Sequence, residues 1–151
     1  MGGPHLRFLC ASDTLTPERR VDGVEVRLLE PAEFAHLYAR RTDLPNALGQ
    51  PGPENVDRLV AAAYCDDILV AAAGASDDAP RFWQIGVDTT AGARQRGLAS
   101  LVVWHLTARL LRDGIAPYYS TLISNLISQR VARRVGYWPA WIEMEARPTS
   151  R

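Results

Sequence analysis

The chain has 151 residues, 47% of them hydrophobic and 23% charged, with a formal net charge of +0 at pH 7. That is enough for one domain with a buried core and too little for two. The balanced charge offers no basic footprint for nucleic acid or a membrane surface, and no apolar run approaches the ~20 residues of a membrane span.

Taken in order, residues 1–23 form a weakly patterned N-terminal segment, and residues 24–151 read as a single domain. Within the first segment, Leu6-Arg7-Phe8-Leu9-Cys10 has the pattern of a short strand, and Thr14 to Asp22 that of a polar linker. An extra edge strand, a domain-swapped arm and a disordered leader all fit. Val24 to Leu29 alternates in polarity and predicts a strand. Glu30-Pro31 then opens a helix with Phe34, Leu37 and Tyr38 as its apolar stripe, and His36 off that stripe reads as a solvated side chain. Asp43 to Pro53 holds three prolines and two glycines, an irregular loop. Leu59–Cys65 and Ile68–Gly74 flank Asp66-Asp67 and predict a β-hairpin, with a helix over 54–63 as the alternative that alanine propensity allows.

The centre of the chain carries the chemistry. Phe82 to Val87 is aromatic and β-branched and predicts a strand. Leu98, Leu101, Val102, His105, Leu106, Arg109 and Leu110 recur at helical spacing, and Asp113-Gly114 stops that helix. Between them lies Asp88-Thr89-Thr90-Ala91-Gly92-Ala93-Arg94-Gln95-Arg96-Gly97. A helix's first turn presents unpaired N–H groups and the positive end of its dipole, so it attracts phosphate. Gly97 and Ala99 let a bulky anion approach, and Arg94 and Arg96 add charge-assisted bonds. A solvated surface connection is the alternative. The pattern is neither Gly-x-x-x-x-Gly-Lys-Ser/Thr nor Gly-x-Gly-x-x-Gly. Further on, Pro117 to Ile123 predicts a strand, and Ser124 or Asn125 caps a helix that Gly136 closes. Tyr137 to Ala146 makes one or two last strands.

Arg94-Gln95-Arg96-Gly97-Leu98-Ala99 resembles the Gln/Arg-x-x-Gly-x-Gly/Ala pyrophosphate loop of the GNAT superfamily of acyl-CoA-dependent N-acyltransferases. Asn125-Leu126-Ile127-Ser128 followed by Gly136-Tyr137 is similar to that family's Asn-x-x-Ser/Ala…Gly-Phe/Tyr segment. The resemblance spans about Phe82 to Tyr137. It implies an α/β domain of α+β type, the GNAT fold: a mixed, mostly antiparallel sheet flanked by helices, with a splayed parallel strand pair that binds acyl-CoA.

The resemblance also implies roles. Ile85, Gly86 and Val87 would pair with the pantetheine arm through their main chain. Arg94, Gln95, Arg96, Gly97, Leu98, Ala99 and Ser100 would hold the pyrophosphate. Asn125 would reach the pantetheine and Ser128 the region of the sulfur. Asn125 also reads as a plain helix cap and Ser128 as a helix-surface serine. The family's tyrosine acid, seven residues after the asparagine, is replaced by Ala132. Ser128, Tyr118 and Tyr119 are the substitutes, with Ser128 and Tyr119 placed in the catalytic set beside Asp88. Glu143 and Glu145 are further candidate bases, and each of these carboxylates also reads as a solvated surface group. The Val87-to-Arg94 loop is about two residues longer than the family's commonest form.

The activity implied is transfer of acetyl from acetyl-CoA to a primary amine of a small molecule or peptide. A catalytically silent acyl-CoA-binding regulatory module is the alternative, and a structural α/β domain that binds no CoA the third reading. No metal is expected: Cys10 and Cys65 have neither Cys-x-x-Cys spacing nor clustered histidines. Free thiols suit a cytoplasmic protein. No signal peptide is expected at the N-terminus, and Leu6 stands where myristoylation needs Ser/Thr. All 17 basic residues are arginine, so lysine chemistry is excluded. Nucleic acid and membrane are not expected partners; a homodimer is admitted through residues 1–23.

Overall fold

The computed structural model describes residues 3–94 and 96–146. Among these residues seven strands form one sheet: β1 (His5–Leu9), β2 (Glu25–Leu29), β3 (Asp57–Cys65), β4 (Ile68–Ala79), β5 (Phe82–Thr89), β6 (Ala116–Leu122) and β7 (Trp138–Glu143). Three α-helices accompany them: α1 (Ala35–Tyr38), α2 (Leu98–Arg112) and α3 (Leu126–Val135). The strand order is β2-β3-β4-β5-β6-β1-β7. Only β5 and β6 run parallel; the other neighbours are antiparallel.

The hairpin forms where expected, and the helical alternative over 54–63 is overturned. Asp66 and Asp67 take φ of 48° and 60°, the left-handed pair that a tight two-residue hairpin turn requires. Ala61, Ala62, Ala63, Ala71, Ala72 and Ala73 are fully buried, because both faces of β3 and β4 are covered. On one face lies α2, whose Leu98, Leu101, Val102, Leu106 and Leu110 enter the main core with Leu59, Ala61 and Ala63. Each such side chain contributes about 1.5–3 kcal/mol by leaving water. The other face is covered by Phe34, Leu37, Leu44, Ala47 and Leu48 over Val60, Ala62 and Tyr64.

The N-terminal segment departs from expectation. Strand β1 lies inside the sheet, paired antiparallel with β6 on one side and β7 on the other. It is an interior strand, not an edge strand: Phe8 is fully buried, 6.3 Å edge-to-face from the Tyr119 ring. The linker after it is tied down as well. Thr16 donates from its N and its Oγ1 to the carbonyl of Val135 at 3.0 and 3.1 Å, and Trp104 Nε1 donates to the Thr16 carbonyl at 2.7 Å. Gly136 closes α3 at φ 114°, and a Cβ there would collide with the Thr14 carbonyl, so the linker needs this glycine. Among the described residues no helix is long and apolar enough to cross a membrane.

Candidate active site

The site follows from one irregularity of the sheet. Parallel pairing between β5 and β6 runs through Phe82↔Ala116, Trp83↔Pro117, Gln84↔Tyr118 and Ile85↔Tyr119, and goes no further. Both strands continue, β5 to Thr89 and β6 to Leu122. Antiparallel pairing of β5 with β4 persists to Ala71↔Thr89. The two strands therefore part like a fork beyond Ile85 and Tyr119. Each then leads to a helix, β5 to α2 and β6 to α3, so two positive helix ends stand at the open end of the fork.

The α2 end has the shape of an anion site. Gly97 is its N-cap with φ 74°, and among the described residues no side chain caps the helix. The first bond made inside it is Leu101 N to the Gly97 carbonyl, 3.1 Å. The N–H groups before that have no acceptor within the helix. Arg94, Arg96 and Gly97 are exposed, Ala99 is half-buried, and Leu98 and Ser100 are buried in the core. Gln95 lies outside the described residues. The loop after β5 contains a 3₁₀ turn over Ala91–Ala93, with Ala93 buried.

At the α3 end, Asn125 is the N-cap, and its Oδ1 accepts from Ser128 N at 3.0 Å. Replacing Asn125 by alanine should cost about 1 kcal/mol through the lost cap, and thermal melting should drop by about 2–4 °C for a chain of this length. The cap also fixes Ser128, whose Oγ lies 2.6 Å from the Tyr119 hydroxyl. Tyr119 is 2% exposed, and burial pushes its pKa up; Ser128 offsets this in part, and the Asp88 charge adds to it. Tyr119 therefore keeps its proton at neutral pH, and either hydroxyl of the Tyr119–Ser128 pair can donate to the other.

The other candidates separate. Adjacent strand residues face opposite sides of a sheet, so Tyr118 points away from Tyr119. Its hydroxyl donates to Asp78 at 2.7 Å, with Gln84 Oε1 at 3.1 Å, and its ring stacks on Phe82. Ala132 is fully buried with Tyr119 and Tyr137 in the core cluster. Asp88 does not join Tyr119 and Ser128. It shares the Gly86 side of β5, and its carboxylate accepts from Asn46 N (2.7 Å), Ala47 N (2.7 Å) and Asn46 Nδ2 (2.6 Å). A carboxylate so occupied is a poor place to look for a base. Glu143 is paired with Arg7 at 3.1 Å. Sequence reasoning missed Asn46 and Ala47 entirely; glycines inside β4 and β5, Gly74 and Gly86, were the available signal of a close backbone approach.

The sequence model of the GNAT acetyltransferase family matches residues 61–140, more than half of the chain. The chain belongs to the GNAT acetyltransferase family. No protein with a curated description matches it. Among solved structures it is similar to a GNAT-family protein from Novosphingobium aromaticivorans, at 21% identity and a TM-score of 0.70 over 93% of this chain and 61% of that one. A GCN5-related N-acetyltransferase from Kribbella flavida matches at 21% identity and a TM-score of 0.65, over 92% of this chain and 55% of that one. The GNAT chain thus spans little more than half the length of these two. The aminoglycoside N-acetyltransferase AAC(6')-Iy, solved in complex with CoA, matches at 19% identity and a TM-score of 0.62, over 90% of this chain and 100% of that one. At these identities the likeness establishes the fold.

Proposed function

We propose that the chain is an N-acetyltransferase that moves the acetyl group of acetyl-CoA to a primary amine of a small molecule or peptide. The observation that carries this reading is the fork between β5 and β6, with the uncapped α2 end on one side and the Tyr119–Ser128 pair on the other. In it, the α2 N–H groups with Arg94 and Arg96 bind the pyrophosphate, and the open edge of β5 over Gly86 and Val87 pairs with the pantetheine amides. AAC(6')-Iy, solved also with the bisubstrate analogue CoA-S-monomethyl-acetylneamine, supports an amine as the other reactant. Among the described residues no group of three or more His, Cys, Asp or Glu is placed to hold a metal, and the reading calls for none.

In the reaction the neutral amine forms a C–N bond at the thioester carbonyl while the C–S bond breaks. Ser128 Oγ–H donates to the departing thiolate, and Tyr119 holds that hydroxyl in orientation. The proton lost by the amine leaves through water. Ser128→Ala should lower kcat with acetyl-CoA by about a hundredfold, the ordinary size of a positioned proton donor, while acetyl-CoA affinity stays within about threefold. Neamine is the natural first acceptor in a panel of amines. Unchanged kcat in Ser128→Ala would remove the serine from the mechanism. Fully buried Ala132, in the family tyrosine's place, favours the second reading, a silent acyl-CoA-binding module. Binding without turnover across the panel would select it.

A further inference from the structure

We propose that Asp88 is a positioning residue: it bolts residues 44–48 across β4 and β5 as a strap, which holds the open half of the fork in its splayed shape. The claim rests on the acyl-CoA reading of that fork. Beyond Ile85, strand β5 has a sheet neighbour on one side only, because its pairing with β6 has ended. The strap crosses this unsupported half. The carbonyls of Asn46 and Ala47 lie against Gly86 and Gly74, which are direct cross-strand partners, and a Cβ at either glycine would collide with the carbonyl oxygen above it. Two glycines side by side thus make the ledge on which the strap rests.

Leu44, Ala47 and Leu48 pin the strap's apolar side into the second core. Asp88, three residues past the fork point, supplies the polar fastening through its three bonds of 2.6–2.7 Å. The far end of the loop has a separate anchor. Asp57, 5% exposed, accepts from Gly49 N (2.9 Å), Asn55 Nδ2 (3.0 Å) and the Tyr38 hydroxyl (2.9 Å). Arg41 Nε also donates to the Gly49 carbonyl at 2.8 Å, so the loop is fastened at both ends, and of these fastenings Asp88 is the one on the fork strand β5.

Amide hydrogen exchange at Asn46 and Ala47, together with calorimetry of acetyl-CoA and turnover of acetyl-CoA with the amine panel, tests this in Asp88→Ala, Asp88→Asn and Asp57→Asn. In Asp88→Ala both amides should exchange at least about tenfold faster and acetyl-CoA should bind about tenfold more weakly, the scale of one or two lost hydrogen bonds. Asp88→Asn should restore both to within about threefold, since its oxygen accepts from the two main-chain N–H groups while its amide meets a reversed Asn46 side chain. Asp57→Asn should loosen Gly49 and leave acetyl-CoA affinity unchanged. Should Asp88→Ala not fold, Asp88→Ser, which keeps one acceptor, should give intermediate losses. If Asp88 were a base, Asp88→Asn and Asp88→Ala would lose turnover alike and bind acetyl-CoA like the wild type, and that pattern overturns the proposal. Fast exchange at Asn46 and Ala47 in the wild type overturns it as well. A wild type that binds no acetyl-CoA overturns the acyl-CoA reading and, with it, the strap's link to the fork, while the exchange rates still report the bolt.

Discussion

Replacing both Arg94 and Arg96 with glutamate should weaken acetyl-CoA binding by at least about a hundredfold and leave the fold intact. Each arginine stands to make charge-assisted bonds with the pyrophosphate, worth about 1.5–3 kcal/mol apiece. The double substitution removes both and places two like charges beside the phosphates. Both side chains are exposed, so the change breaks no core packing. The α2 dipole and N–H groups remain, but alone they favour an anion by only about 0.3–2 kcal/mol. Calorimetry of the variant, with circular dichroism to verify folding, is the check. Affinity within about threefold of the wild type would mean that the pyrophosphate does not sit on this loop.

Phe8→Ala should cost about 3–5 kcal/mol, the usual range for emptying a fully buried aromatic site. For a chain of this length that corresponds to a fall in melting temperature of about 6–20 °C. The cost has two parts. The Phe8 ring is fully buried and meets Tyr119 edge-to-face. The strand that carries it lies between β6 and β7 and pairs with both. Under the role proposed for the Tyr119–Ser128 pair, the same substitution should also lower turnover in the fraction that stays folded. A melting temperature within about 2 °C of the wild type, less than the shift of 1 kcal/mol, would contradict the interior placement of β1.

Local signals were legible from the residues alone. Asp66-Asp67 between two apolar runs announces a hairpin, Ser124-Asn125 announces a cap, and Gly114 and Gly136 sit where a left-handed residue closes a helix. The phosphate loop and the Asn125…Ser128 segment pointed to the family through their spacing. Long-range pairing left weaker marks. Leu6 to Cys10 reads as a strand, but its partners lie more than a hundred residues away, at Tyr118–Leu122 and Trp138–Glu143, and nothing local says which it joins. The parity of the sheet is equally silent: Tyr118 and Tyr119 are alike in sequence, and only register sends one to Asp78 and the other to Ser128. Asp88 illustrates the same gap. A carboxylate at a strand end invites a catalytic reading, and only the folded loop reveals that Asn46 and Ala47 occupy it.

The central claim, that the β5–β6 fork is an acyl-CoA cleft, is tested most directly by titration calorimetry of the purified protein with acetyl-CoA and with free CoA. The account predicts saturable binding of both at one site per chain, with a micromolar Kd and loss of affinity in the Arg94→Glu/Arg96→Glu variant. A folded protein that takes up neither ligand would contradict it and withdraw every role proposed for the fork.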